Sequence, residues 1–246
     1  KKLYRGESSP VQVMIDGSES NTATIAIGYI TRIVRSFSAD MDLKVLDKAV
    51  VGRIKGIPPV DPQPRVWYNP ELKSRNFIVP GLIAVIMMIM NALLTSLTII
   101  REKERGTMEM LISTPVKSYE IILGKILPYL VIGLLDVGLI VVFGRVMFGV
   151  PIKGSLLLLF STAVFFGLAG LGIGMLISIA ARSQLFAVQV SMIVSMLPSY
   201  LLSGFMIPIK SIPDIIQPVA YLVPATYYLI IVRGIFLKGV GLAVLW

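Results

Sequence analysis

From Asn76 to Ile100 the chain runs for 25 residues without one Asp, Glu, Lys or Arg. At about 1.5 Å of rise per residue, a helix of that length crosses a hydrocarbon layer of about 30 Å. The pattern recurs. Ile126 to Gly144 contains a single charge, Asp136, while Gly154 to Ala181 and Ser183 to Ile209 contain none and are separated only by Arg182. Four such stretches predict spans at about 77–100, 126–145, 155–181 and 184–208, the last two antiparallel because the turn between them is so short. Composition agrees: the chain is 55% hydrophobic and 15% charged, against roughly a quarter charged in a soluble domain. Residues 211–238 differ. Pro213, Pro218 and Pro224 cut this apolar stretch into pieces too short to span, which predicts re-entrant or interfacial helices. A further span is expected to start near Gly239, covering 239–246.

Residues 1–76 have another character, with twelve basic and eight acidic side chains. "VQVMID" alternates apolar residues and stops on Asp16-Gly17, a turn signal. Asp16, Gly17 and Ser18 form a turn with no second acid or base to work with them. Ala26, Tyr29, Ile30, Ile33 and Phe37 then fall on one helical stripe, with Arg32 and Arg35 off it. "RVWYNP" reads as a closing strand ended by Asn69-Pro70. The expected architecture is therefore a mainly α, polytopic helical membrane protein, spanning in 77–246, preceded by a small α/β domain in 1–76. That domain is expected to be N-terminally incomplete, because no core-filling partner precedes its first strand.

The net charge of +9 is spread almost evenly along the chain, without a basic run or an aromatic-interleaved stripe, so nucleic acid is not expected as a partner. No Cys and no His are present, which removes disulfides and the usual zinc sites. Orientation follows from basic residues in short loops. With 101–125 and Arg182 on the cytoplasmic side, six basic residues fall in two compact loops, against five scattered over the opposite face. Residues 1–76 are then extracytoplasmic.

The loop "REKERGTMEMLISTPVKSYEIILGK", Arg101 to Lys125, packs nine charges into 25 residues between two apolar stretches. Such a loop is either merely solvated or a docking element. "GTMEMLIS" reads as a two-turn helix with Met108, Leu111 and Ile112 on one side, and Thr114-Pro115 as the start of a new helix. No G-x-x-x-x-G-K-[ST] loop occurs; Gly124-Lys125 is followed by Ile126. The chain cannot cradle nucleotide phosphates by that device.

Inside the spans, Asp136 is costly in hydrocarbon and is expected to be paired within the bundle or to serve a proton or cation relay. Gly170, Gly174 and Ser178 form a small-residue stripe for close helix packing, within or between subunits. Pro128 and Pro198 interrupt backbone bonding. Pro198 with Ser203-Gly204 marks either a bend on a substrate path or a plain kink. Tyr221, Tyr227, Tyr228 and Trp246 fit an interfacial aromatic belt.

The stretch "REKERGTMEMLISTPVKSYEIILGKILPY" resembles ABC-2 type transporter permeases with a large extracytoplasmic domain. "VQVMIDGSESNTA", "VWYNPELKSRNFIVPG", "GLLDV", "FGVPIKGS", "LLSGFMIPI" and "RGIFLKG" agree with it in order. The resemblance implies a bacterial inner-membrane exporter subunit of six spans, of which this chain lacks the first and most of the last. It also implies a coupling helix in 101–120 that enters a groove on a separate ATPase. Glu102, Glu104, Arg105, Gly106, Thr107, Glu109 and Pro115 would form that contact, with Glu120, Gly124 and Lys125 starting the next span. Implied partners are two ABC ATPase subunits holding the ATP and magnesium, a second permease copy or paralogue, a periplasmic adaptor and the lipid bilayer. No cofactor is implied on this chain. The remaining alternatives are a membrane-embedded enzyme, which has only Asp136 to work with, and a passive channel or scaffold.

Overall fold

The computed structural model describes residues 11–48 and 62–241. The start of a span expected over 239–246 therefore lies mostly outside the described residues, as does Trp246. The chain divides into two compact units, Lys1–Phe77 and Ile78–Trp246.

In the first unit, β1 (Val11–Asp16) and β2 (Pro62–Trp67) pair in parallel, Val11 opposite Pro62 and Asp16 opposite Trp67. A parallel pair needs a crossover, and α1 (Ser20–Lys48) lies within it. Asp16 shapes the turn as its composition suggests: its carboxylate accepts from Ser18 N–H at 2.9 Å, and Gly17 N–H donates to Trp67 O at 2.9 Å. A Cβ on Gly17 would lie 2.8 Å from that oxygen, so only glycine fits. The expected stripe on α1 does not form the core. Tyr29, Ile33 and Phe37 are exposed, and the buried face instead runs from Ser20 and Ala23. Two six-residue strands are too small to cover more than one side of a 29-residue helix. Asn69, buried after β2, accepts from Lys73 N–H and from the Asn76 amide and donates to Lys73 O, tying the strand end to the next helix.

Among the described residues, four helices are long and apolar enough to cross a membrane. They are α2 (Ser74–Glu104), α4 (Ser118–Val146), α5 (Leu156–Ala180) and α6 (Gln184–Leu197), the last continued by a π-helical turn at Pro198–Leu202. The fourth apolar stretch thus leaves regular helix earlier than the expected residue 208. Pro198 has no N–H to give, so Ser203 N–H reaches back to Pro198 O at 3.0 Å, and Gly204 then turns the chain at φ 82°. A short helix, α3 (Met108–Ile112), lies between α2 and α4.

Beyond Gly204 come a 3₁₀ turn (Ile209–Ser211), α7 (Gln217–Leu222) and α8 (Pro224–Arg233), extended by a π turn at Gly234–Lys238. Val223 is extended between α7 and α8, because the residue before a proline is pushed out of helical φ/ψ. Ala225, Tyr228, Leu229 and Val232 recur at helical spacing and are buried. Tyr228 therefore leaves the expected aromatic belt: it stacks on Phe166 of α5, ring centroids 4.3 Å apart, while Tyr221 and Tyr227 stay exposed.

The small-residue stripe of α5 meets α2. A Cβ on Gly170 would touch Asn91 and Met88 at 3.3 Å; on Gly174 it would lie 2.5 Å from Ala92 O and 3.0 Å from Ala92 Cα. Ser178, one turn on, accepts from Ile99 N–H and Ile100 N–H at 3.0 and 3.1 Å. Because the neighbour at Gly174 is backbone, no rotamer change relieves a larger residue. Gly174→Ala is expected to lower the melting temperature of the full-length protein in detergent, by the equivalent of about 1–3 kcal/mol of overpacking. Gly172→Ala, whose Cβ would meet nothing within 4 Å, is expected to leave it unchanged or raise it. Equal losses from both would contradict this packing.

Candidate functional site

The end of α2 is closed by Gly106. Thr107 N–H donates to Glu102 O at 3.0 Å and Gly106 N–H to Lys103 O at 3.3 Å, with Gly106 at φ 71°. That nested pair of bonds around a left-handed glycine is a Schellman motif. It stops the helix and throws the chain into α3, whose side chains are all at least partly exposed, Met110 and Ile112 at 68% each.

The expected two-turn helix is thus one turn, and the helix start expected at Thr114-Pro115 falls at Ser118 instead. The Thr114 hydroxyl turns back to donate to Leu111 O at 2.6 Å, so it caps nothing ahead of it. Glu120 supplies the missing acceptor, taking Lys117 N–H at 2.9 Å, one half of a capping box.

Three attachments hold the α2 end in place. Lys125 of α4 forms an ion pair with Glu102 at 2.7 Å and donates to Thr98 O at 3.4 Å. The Glu104 carboxylate accepts Gln184 N–H at 2.7 Å, and its other oxygen takes the Gln184 side-chain amide, so it caps α6 from 80 residues away. Ser178 of α5 holds Ile99 and Ile100 as described, above an apolar cluster of Leu97, Ile100, Ala181 and Ala187. Anionic groups at a helix N-terminus are favourable through the macrodipole and the free N–H groups.

A cavity of about 530 Å³ opens between the end of α2 and the start of α4. Its walls are Leu97, Thr98, Arg101, Glu102, Arg105 and Thr107 on one side, and Gly124, Lys125, Pro128 and Tyr129 on the other. Of the seven residues singled out in the loop, Glu102, Arg105 and Thr107 line this cavity, Glu104 engages Gln184, and Gly106 shapes the turn. Glu109 and Pro115 stand exposed.

The intramembrane residues separate differently. Gly170, Gly174 and Ser178 come together against α2. Asp136 is half-buried on α4 and makes no hydrogen bond or ion pair among the described residues. Pro198 begins the π turn. Reasoning from sequence missed Asn91, which is 1% exposed with both amide atoms unpartnered among the described residues. It sits where a Cβ on Gly133 would come within 2.6 Å of its Oδ1. An amide in an uncharged run was itself the signal. Also missed were Ser191, Ser195 and Ser199, which with Ser203 are all buried, Ser195 donating to Ser191 O at 2.6 Å and Ser203 to Ser199 O. Their four-residue spacing was readable.

If Glu104 and Gln184 act as one unit, Gln184→Ala lowers thermal stability on its own, but adds nothing in a Glu104→Ala background. Additive losses in this double-mutant cycle would show that the contact is not formed in solution.

Comparison with known proteins follows these features. The family model for ABC-2 family transporter proteins matches residues 1–246. A probable multidrug ABC transporter permease, YbhS of Escherichia coli strain K12, is 40% identical over 232 residues, which is 94% of this chain and 60% of YbhS. YbhR of the same organism, described in the same words, is 32% identical over 249 residues, 100% of this chain and 64% of YbhR. ABC transporter G family member 20 of Dictyostelium discoideum is 31% identical over 179 residues, 73% of this chain and 24% of that protein. The chain thus spans 60% to 64% of the length of the two bacterial relatives. No solved structure matches it. A family match over every residue, together with relatives of this identity, means that the chain belongs to the ABC-2 family of transporter proteins.

Proposed function

We propose that this chain is the core of the membrane permease subunit of an ATP-binding-cassette exporter, driven by a separate ATPase through the loop 101–120. The observation that carries this reading is the fastening of the α2 end to α4, α5 and α6 by Glu102, Ser178 and Glu104. Force applied to an isolated loop is lost in that loop. Force applied to a helix end clamped to three others moves all of them.

In this reading α3 is the docking element, presenting Met110, Ile112 and Glu109 outward, with Pro115 beyond it. Gly106 and Thr107 set its angle, Glu102 and Glu104 transmit its displacement, and Arg105 flanks it. The ATPase, present in two copies, holds ATP and magnesium; this chain hydrolyses nothing. A second permease copy or a paralogue completes the pathway, and Asp136, without a partner among the described residues, is placed to meet a group on that second subunit. Loop 101–120 and Arg182 face the cytoplasm of a bacterial inner membrane, and the unit ending at Phe77 faces outward, within reach of a periplasmic adaptor. The relatives described as probable multidrug ABC transporter permeases support a transport role.

Two experiments test this. The chain contains no cysteine, so single thiols at exposed positions report topology: a membrane-impermeant reagent applied to intact cells should label Ser36→Cys and spare Ser113→Cys. The reverse pattern inverts the subunit and ends the coupling proposal. Second, Glu109→Arg in the full-length protein should insert and fold normally but weaken ATPase pull-down roughly tenfold or more, because a reversed charge meets the group it formerly attracted. Unchanged pull-down and unchanged export would remove α3 from the contact.

A further inference from the structure

We propose that the cavity between the end of α2 and the start of α4 binds the phosphate headgroup of an anionic membrane lipid. This goes beyond the coupling reading and does not depend on it.

The charge in the cavity is unbalanced. Arg101, Arg105 and Lys125 line it, and the one acid in its wall, Glu102, is taken by Lys125 at 2.7 Å. Arg101 in the last turn of α2 and Arg105, the residue just after it, stand four residues apart, both exposed, and neither has an acidic partner among the described residues. Like charges at that spacing repel and destabilise a helix. An anion held between them reverses the sign of that interaction, and two guanidinium groups offer the donor geometry that phosphate oxygens accept.

The remaining wall says which anion. Leu97, Pro128 and Tyr129 also line the cavity. Leu97 lies about 6 Å below Arg101 by helical rise, inside the uncharged run that ends at Ile100. Pro128 and Tyr129 lie at the start of the second apolar stretch. The arginines therefore sit where an uncharged helix emerges, at the level of lipid phosphates, while the apolar wall descends toward acyl chains. A free phosphate would leave that wall unused, and an acidic side chain of a soluble partner would have to enter the hydrocarbon edge to reach it. Gly124 adds no side chain, which keeps the mouth open between the helices. Basic pockets between helices at this depth are typical of headgroup sites.

The test uses the full-length permease, purified in neutral detergent without its ATPase, with lipid binding read by native mass spectrometry and by the shift in melting temperature. Phosphatidylglycerol should bind in preference to phosphatidylcholine and raise the melting temperature. Arg101→Gln and Arg105→Gln should each reduce that preference roughly fivefold, the double variant more, while Arg101→Lys, which keeps the charge but loses the guanidinium fork, should fall between Arg101→Gln and the parent. Lys153→Gln, on the α4–α5 connection, should change nothing. Millimolar inorganic phosphate should not compete. The proposal is overturned by equal binding of the two lipids, by a preference that survives in both single variants, or by displacement with inorganic phosphate, which would make the site one for a free anion. Should the double variant fail to fold, the two single variants and Arg101→Lys decide the matter.

Discussion

In hydrocarbon every backbone N–H and C=O has to find its partner within the protein, because no water is there to take it. Two places where this chain departs from regular helix show how that demand organises the second unit, and within α2 the Ser178 hydroxyl also accepts from Ile99 and Ile100 N–H. After the π turn at Pro198–Leu202, the carbonyls of Gly204 and Phe205 accept from the Arg233 guanidinium at 3.0 and 3.4 Å. Between α4 and α5, Lys153 N–H reaches Phe236 O at 3.3 Å. Each irregular segment is thereby tied to an element distant in sequence.

These ties give the membrane unit its internal logic. α5 is the central element, meeting α2 through Gly170, Gly174 and Ser178, and α8 through the Phe166–Tyr228 stack. The end of α2 is clamped to α4 by Lys125 and to α6 by Glu104. A loop that would otherwise be a solvated connection becomes the exposed end of a rigid cluster. Asn91 marks the opposite condition: an amide buried with no partner among the described residues. Such a group is costly in apolar surroundings, so a second arrangement of α2 and α4 that supplies its partner would be favoured by that group.

The spans were legible because hydropathy needs only local sequence: 25 uncharged residues can hardly be anything else here. The breaks at the prolines and the Asp16-Gly17 turn were legible for the same reason, since each follows from backbone rules of one or two residues. What escaped were contacts between distant positions. Nothing near Glu104 announces Gln184, and the start of α4 moved because Glu120 satisfied Lys117 better than Thr114 could. The α1 stripe misled because amphipathicity says which side is apolar, not whether enough sheet exists to cover it. Tyr228 misled for a related reason. A tyrosine suits an interface and a stacked interior equally, and only the partner Phe166 decides.

The central claim is that loop 101–120 and the start of α6 move as one body when an ATPase acts on the loop. Spin labels at Met110→Cys and Leu185→Cys, both exposed positions in a chain without native cysteine, measure this in the full-length transporter. The account predicts one narrow distance distribution, the same with and without nucleotide on the ATPase, that broadens when Glu104→Ala releases Gln184. A distribution that shifts by more than its own width on nucleotide binding, with Glu104 intact, would contradict it.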